Sequence, residues 1–375
     1  MKIAFTGGGT GGHFYPIIAV AEEINKLIKE EKLVAAQLYY FAPEPYNEQL
    51  LTENNIIFVP VMVGKLRRYF SFKNFTDAIK IFFGIFGALG KLYRIYPDVV
   101  FSKGGYVSFT TLLAARWLGI PIIIHESDSH PGKVNLWSAK FARRVAISYP
   151  EASKYFPTEK TAITGNPIRA EVMTPIKNGA YEFLALDKNL PVIFVTGGSQ
   201  GATTINDTLI DALPTLIEKY QIIHQVGKDN YEDIKKRVSV ILDQNLNKDR
   251  YKLFDYLDSS AIKMAAGAAQ LVVSRAGSVI FEIALWGLPS IIIPIPESIS
   301  HDQRTNAFTF AASGGAVVIE QDNLTASVLT SEITRLIENP TLRAQMSQAL
   351  TSFARRDAGQ VIAKEIINLA LEHEV

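Results

Sequence analysis

The stretches Lys2-Ile3-Ala4-Phe5-Thr6-Gly7-Gly8-Gly9-Thr10-Gly11-Gly12 and, far downstream, Val192-Ile193-Phe194-Val195-Thr196-Gly197-Gly198-Ser199-Gln200-Gly201 repeat one pattern. In each, five mostly apolar residues run straight into a glycine cluster, and a helical pattern follows. That is the first strand, first turn and first helix of a doubly wound α/β domain, met twice. Elsewhere short apolar runs alternate with helix-period segments, as βαβ units require. Strand candidates in the first half are Lys2–Thr6, Gln37–Phe41, Val99–Ser102, Ile120–His125 and Arg144–Ile147. A second series comprises Val192–Thr196, Ile222–Gln225, Tyr251–Phe254, Leu271–Ser274 and Ser290–Pro294. Val99-Val100-Phe101 and Ile291-Ile292-Ile293 are apolar throughout, which suits strands covered by helices on both faces.

The expected fold class is therefore α/β, two Rossmann-like doubly wound domains with an interdomain cleft where both sheets present the carboxyl ends of their strands. The expected limits are 1–165 for the first domain, 166–350 for the second, and a helix in 351–375 returning to the first. Pro167, Pro175, Gly179 and Pro191 punctuate the join. One large irregular sheet is the alternative that length alone allows.

Composition narrows the function. Among 375 residues, 38 Lys+Arg face 37 Asp+Glu, a net charge of +1 that argues against a general nucleic-acid binder. Apolar residues make up 48% and charged residues 20%, so each domain can bury a core of its own. The absence of cysteine excludes disulfides, a thiol nucleophile and any zinc site with cysteine ligands. Gly7-Gly8-Gly9 ends the first apolar run before a secretory segment can develop, and Ile81 to Gly90 is about half of the ~20 residues needed to span a bilayer. The chain reads as a soluble, cytoplasmic protein.

A glycine turn between strand and helix lets backbone N–H groups approach an anion, and the helix N-terminus adds about half a positive charge. Gly7, Gly9 and Gly12 fit G-x-G-x-x-G, but a dinucleotide site needs an acid ending the second strand; here Ala42-Pro43 follows, with Glu44 beyond. A P-loop fails too, because His13 stands where lysine is required. The first turn reads as an anion site of neither kind. Gly197, Gly198 and Gly201 form the corresponding phosphate loop.

His13 opens the first helix, where the N-terminus lowers an imidazole pKa and favours the neutral, proton-accepting form; local capping is the alternative. His125-Glu126-Ser127-Asp128 ends a buried strand. Glu126 and Asp128 could suggest a hard cation, but two carboxylates at a strand end more often order the loop, and no metal is expected. Arg169 in Gly165-Asn166-Pro167-Ile168-Arg169 suits bidentate phosphate recognition or an interdomain ion pair. Ser274-Arg275-Ala276-Gly277-Ser278 opens a helical run in which Glu282, one to two turns in, could accept from a ribose diol or favour the helix N-terminus. His301 to Asn306, including Gln303, offers donors and acceptors suited to sugar hydroxyls.

From Gly64 to Arg94, Lys65, Arg67, Arg68, Lys73, Lys80, Lys91 and Arg94 face a single Asp77. Between them Phe75, Ile79, Phe82, Phe83, Phe86 and Leu89 form one apolar helical stripe, and Ile81, Ile85 and Leu92 a second. The default for such a stripe is core. With a second stripe available for the core, the first suits an anionic membrane surface. Gly84, Gly87 and Gly90 each weaken this helix by ~1 kcal/mol relative to alanine.

Taken in order, Gly7 to His13, Phe101-Ser102-Lys103-Gly104-Gly105-Tyr106-Val107-Ser108, His125 to Asp128, Gly165 to Arg169, Gly197 to Gly201 and Ser274 to Ser278 resemble the MurG family of bacterial peptidoglycan N-acetylglucosaminyltransferases. The resemblance covers nearly the whole chain. It implies a GT-B fold and transfer of N-acetylglucosamine from its UDP donor to lipid I (undecaprenyl-pyrophosphoryl-muramoyl pentapeptide), forming lipid II at the cytoplasmic membrane face. It implies no cofactor, and other cell-wall synthesis proteins as partners. Ser199 would touch the diphosphate, backbone around Leu257 the uracil, Glu282 the ribose, Gln303 the sugar and Arg169 the nucleotide. Thr10, Gly11, Gly12 and His13, with Tyr106 and Asp128, would line the acceptor side. Phe75, Ile79, Phe82, Phe83 and Phe86, with Lys73 and Lys80, would form the membrane patch. Rival expectations are a UDP-N-acetylglucosamine 2-epimerase and a non-catalytic sugar-nucleotide-binding subunit.

Overall fold

The computed structural model describes residues 1–64, 73–198, 201–298 and 301–373, and for 73, 74, 301, 302 and 373 the backbone alone. Ser199, Lys65, Arg67 and Arg68, and the Lys73 side chain, thus lie outside the described residues. The chain divides into two compact units, Met1–Arg169 with Arg355–Val375, and Ala170–Ala354. The change of unit falls after Arg169, not after Gly165, so the whole Gly165-Asn166-Pro167-Ile168-Arg169 loop belongs to the first unit.

The first unit holds seven strands: β1 (Lys2–Thr6), β2 (Gln37–Ala42), β3 (Ile56–Pro60), β4 (Val99–Ser102), β5 (Ile122–Glu126), β6 (Arg144–Ile147) and β7 (Thr161–Ile163). All are parallel, in the order β3-β2-β1-β4-β5-β6-β7, with Ala4 paired to Tyr39 on one side and Val100 on the other. Alternation along β1 sends Ile3 and Phe5 to one face, where Phe14, Ile17 and Val20 of the Gly11–Glu30 helix cover them. Ala4 and Val100 point to the other face, against Ala88, Leu92 and Leu112. The C-terminal helix Ala358–His373 adds Ile362, Ile366 and Ala370 to the first of these cores.

The second unit repeats the plan with β8 (Val192–Thr196), β9 (Gln221–Gln225), β10 (Tyr251–Phe254), β11 (Leu271–Ser274), β12 (Ser290–Ile292) and β13 (Ala316–Val318), ordered β10-β9-β8-β11-β12-β13. Strand order reverses beside β1 and again beside β8, so each glycine turn stands at a topological switch point, where ligands meet open parallel sheets. The strands without a sequence signal, β3, β7 and β13, all lie at sheet edges. Half of an edge strand faces solvent, as Ile57 and Ile163 do, and the continuous apolar run of an inner strand is lost. β5 begins at Ile122, not Ile120, because Pro121 has no N–H for the ladder, and it runs on to Glu126.

Lys73–Ile95 is one helix despite its glycines. Gly84 is where it crosses the Met62 carbonyl, which a Cβ would strike. Ala88 and Leu92 are buried, whereas Phe75, Ile79, Phe82, Phe83 and Phe86 are exposed. The outward stripe is the aromatic one. Among the described residues no helix is long and apolar enough to cross a membrane.

Candidate active site

After β1 the backbone turns tightly under two tyrosines. The Tyr40 hydroxyl donates to the Gly7 carbonyl at 2.6 Å, and a Cβ on Gly8 would sit 2.7 Å from that hydroxyl. Gly9 faces the Tyr106 ring. The helix that follows has Thr10 as its N-cap, yet no side chain caps its first N–H groups. Thr10 Oγ1 instead lies 3.0 Å from His13 Nδ1. Gly105 packs against the other edge of the imidazole, near Nε2. Burial, then the Lys103 ammonium, lowers the His13 pKa to about 4, so the ring is neutral near pH 7.

Lys103, the first residue after β4, is 1% exposed, and its Nζ lies 3.4 Å from Asn166 Oδ1. Burial lowers its pKa to about 8 against the pull of the Glu126 and Asp128 carboxylates. Glu126 is spoken for structurally. It accepts from Asp128 N (2.9 Å), Gly132 N (3.0 Å) and Asn135 Nδ2 (2.9 Å), ordering the loop after β5. Burial raises its pKa, and those three bonds oppose the rise. His125 is wholly buried and held neutral by that burial. Its Nε2 meets the Gly165 carbonyl at 3.0 Å, tying β5 to the loop that carries Arg169. The Arg169 guanidinium stacks 4.5 Å over the Tyr15 ring, so the first glycine-turn helix orients it.

In the second unit the turn after β8 is built from both ends. Gly198 N donates to Thr196 Oγ1 at 3.1 Å. Gln225, ending β9, donates from Nε2 to the Gly198 carbonyl (3.1 Å) and accepts from Leu257 N at Oε1 (3.1 Å). Gly201 has φ of +75°, and a Cβ there would strike the Val226 carbonyl. The Thr203–Leu216 helix then starts with no side-chain cap. Arg275 is turned inward, donating to the Ile293 and Pro294 carbonyls, and burial lowers its pKa to about 10. The helix carrying Glu282 opens only at Val279, which corrects the sequence reading: Glu282 lies in its first turn, not one to two turns in. Gln303 Oε1 accepts from Ile295 N at 3.4 Å.

Within the first unit the structure brings Gly9, Thr10, His13, Gly105 and Tyr106 together, with Lys103 beside Gly7. Within the second it brings Gly198, Gly201 and Leu257 to the carboxyl edge of the sheet, and the helices carrying Glu282 and Gln303 follow β11 and β12 in the chain. Sequence reasoning did not single out Lys103, whose charge acts on His13, or Gln225, which bridges Gly198 and Leu257. Lysine directly after a buried strand was a usable signal for the first; nothing local marked the second.

Residues 3–147 match the glycosyltransferase family 28 N-terminal domain and residues 192–362 the glycosyltransferase family 28 C-terminal domain. The chain belongs to glycosyltransferase family 28 and is a sugar-transferring enzyme of GT-B fold.

More particularly, it is 38% identical over 90% of both chains to the UDP-N-acetylglucosamine--N-acetylmuramyl-(pentapeptide) pyrophosphoryl-undecaprenol N-acetylglucosamine transferase of Clostridium novyi. It is 34% identical to a Bacillus thuringiensis protein of that name, over 97% of this chain and 99% of the other. The crystal structure of Acinetobacter baumannii MurG superposes with a TM-score of 0.71 at 26% identity, covering 98% of this chain and 99% of that one. A Listeria monocytogenes structure described as a putative UDP-N-acetylglucosamine 2-epimerase gives 0.72 at 16% identity, covering 99% and 96%, a likeness of fold alone.

Proposed function

We propose that this chain transfers N-acetylglucosamine from UDP-N-acetylglucosamine to the muramoyl 4-hydroxyl of lipid I, with inversion, giving lipid II at the cytoplasmic face of the plasma membrane. The first unit takes the acceptor and the second the donor. The observation that carries this is the pair of glycine turns, each opening a helix whose N-cap residue, Thr10 or Ala202, makes no side-chain capping bond among the described residues. Such a terminus holds a diphosphate, and the reaction has two: one on the nucleotide and one on the lipid.

Gly197, Gly198 and Gly201, with Ser199, would hold the UDP diphosphate, backbone at Leu257 the uracil, Glu282 the ribose and Gln303 the sugar. Arg169 would reach the nucleotide, and Thr10, Gly11, Gly12, Tyr106 and Asp128 would position the acceptor. A helix N-terminus supplies at most ~2 kcal/mol, whereas enzymes lower barriers by roughly 8–23 kcal/mol. A base and strict alignment must supply the rest. With Nδ1–H donating to Thr10 Oγ1, His13 Nε2 carries the lone pair that takes the acceptor hydroxyl proton. The hydroxyl oxygen then attacks the anomeric carbon as the bond to UDP breaks, the leaving oxygen keeping the electron pair. The exposed stripe of Phe75, Ile79, Phe82, Phe83 and Phe86, with Lys73 and Lys80, would seat the enzyme on anionic lipid that carries its acceptor.

Incubation with labelled UDP-N-acetylglucosamine and a lipid I analogue tests this. Transfer to the analogue is the expected result. Free epimer would favour the 2-epimerase reading, and binding without turnover a non-catalytic subunit; either overturns the proposal.

A further inference from the structure

We propose that Gln225 is a positioning residue that couples the nucleobase-binding backbone at Leu257 to the Gly198 carbonyl, so that seating the base sets the position of Gly198 for the diphosphate. The inference rests on the donor reading above. Gln225 ends an inner strand and is 3% exposed. It cannot be a surface residue recruited by ligand, because both ends of its amide are committed within the protein: Nε2–H to the Gly198 carbonyl and Oε1 to Leu257 N–H. One rigid planar group therefore joins two backbone segments that follow different strands, β8 and β10.

The surroundings fix the same relation from below. The Val226 carbonyl, next along from Gln225, accepts from Asn206 Nδ2 (3.1 Å) and Asn230 Nδ2 (2.9 Å). It leaves no room for a side chain at Gly201, where the turn closes by Gly201 N donating to the Gly198 carbonyl at 3.1 Å. Gly198 O thus takes one bond from the turn and one from Gln225. A shift of Leu257 moves the amide, and the amide moves the Gly198 carbonyl. No part of Gln225 need touch the nucleotide.

The test uses the full chain and the near-isosteric, uncharged Gln225→Met. Loss of two buried hydrogen bonds should weaken UDP binding about tenfold or more. Donor KM should rise by a similar factor, with kcat within about threefold and acceptor KM unchanged. A purely structural role would not move the second readout: in the wild type, uridine, which lacks phosphate, should slow amide hydrogen exchange at Gly198 and Gly201. In Gln225→Met that protection should vanish while uridine still binds. Should Gln225→Met not fold, Gln225→Glu keeps the Leu257 acceptor but not the Gly198 donor, and the uridine exchange measurement is repeated on it. Wild type that fails to bind UDP sinks the donor reading itself. Wild type that binds UDP, with the variant binding equally well or with uridine leaving Gly198 and Gly201 exchange untouched, overturns the coupling alone.

Discussion

Thr10 Oγ1 and His13 Nδ1 lie 3.0 Å apart across the first turn of their helix, and Gly105 lies beside the opposite ring nitrogen, Nε2. Replacing His13 by alanine should lower kcat about 10²–10⁴-fold with donor affinity nearly unchanged, as read by steady-state kinetics and UDP calorimetry. Unchanged turnover removes His13 from the role of base.

The same imidazole sets the pH dependence. A base works only unprotonated, and burial with Lys103 lowers His13 from 6.5 to about 4. Activity should therefore hold as pH falls through 6.5 and fail only near 4. Lys103→Met removes the smaller of the two causes, so the acid limb should move up, yet stop short of the unshifted value. A pH profile of kcat/KM with the inflection still at 6.5 would contradict the assignment.

Gly201 and Gly198 both have positive φ, but Gly201 is crowded by the Val226 carbonyl, whereas no described residue lies within 4 Å of a Cβ on Gly198. Gly198→Ala should cost about 1 kcal/mol of stability, the left-handed penalty alone. Gly201→Ala should cost well over about 2 kcal/mol, since strand or turn must also move. Equal midpoints in urea unfolding would refute this ranking.

The outward aromatic stripe makes a prediction without a stability component. Phe82 and Phe86, their rings 5.1 Å apart, are 58% and 53% exposed. Changing both to serine should leave thermal unfolding within about 1 kcal/mol. Each phenyl ring buried in lipid is worth roughly 1.5–3 kcal/mol, so binding to anionic vesicles should fall at least about a hundredfold. Vesicle flotation that recovers the double variant as fully as wild type would argue for another use of this face.

The C-terminal helix separates two kinds of contact. Ile366 is fully buried among first-unit side chains, whereas the neighbouring Glu365 pairs with Arg144 at 2.6 Å on a half-exposed surface. Ile366→Ala should destabilise by about 2–5 kcal/mol. Glu365→Gln should cost less than about 1 kcal/mol, because solvent screens the pair. Denaturant titration of the two variants decides it.

Much of this was legible along the chain, and for a reason. Inner strands of a parallel sheet are buried on both faces, so they write themselves as unbroken apolar runs, and a glycine cluster after such a run reports a turn where backbone meets ligand. Hence the inner strands β1, β4, β6, β8 and β11 were read with their observed limits, as was the edge strand β10, and the two glycine turns showed as local motifs. The edge strands β3, β7 and β13 were not read: Ile57 of β3 and Ile163 of β7 face solvent, and β7 and β13 have only three residues each.

The linear chain was enough to mark most of the strands, the doubling of the pattern, and the glycine turn that precedes the first helix of each unit. These depend on neighbours in the chain. It took the fold to bury His13 beside Lys103, to tie Gly198 to Leu257 through Gln225, and to turn the aromatic stripe of Lys73–Ile95 outward while Ala88 and Leu92 face in. Those relations join residues on different strands and helices. Their bonds exist only after the sheet order has brought distant strand ends to one edge, and no local pattern encodes that order.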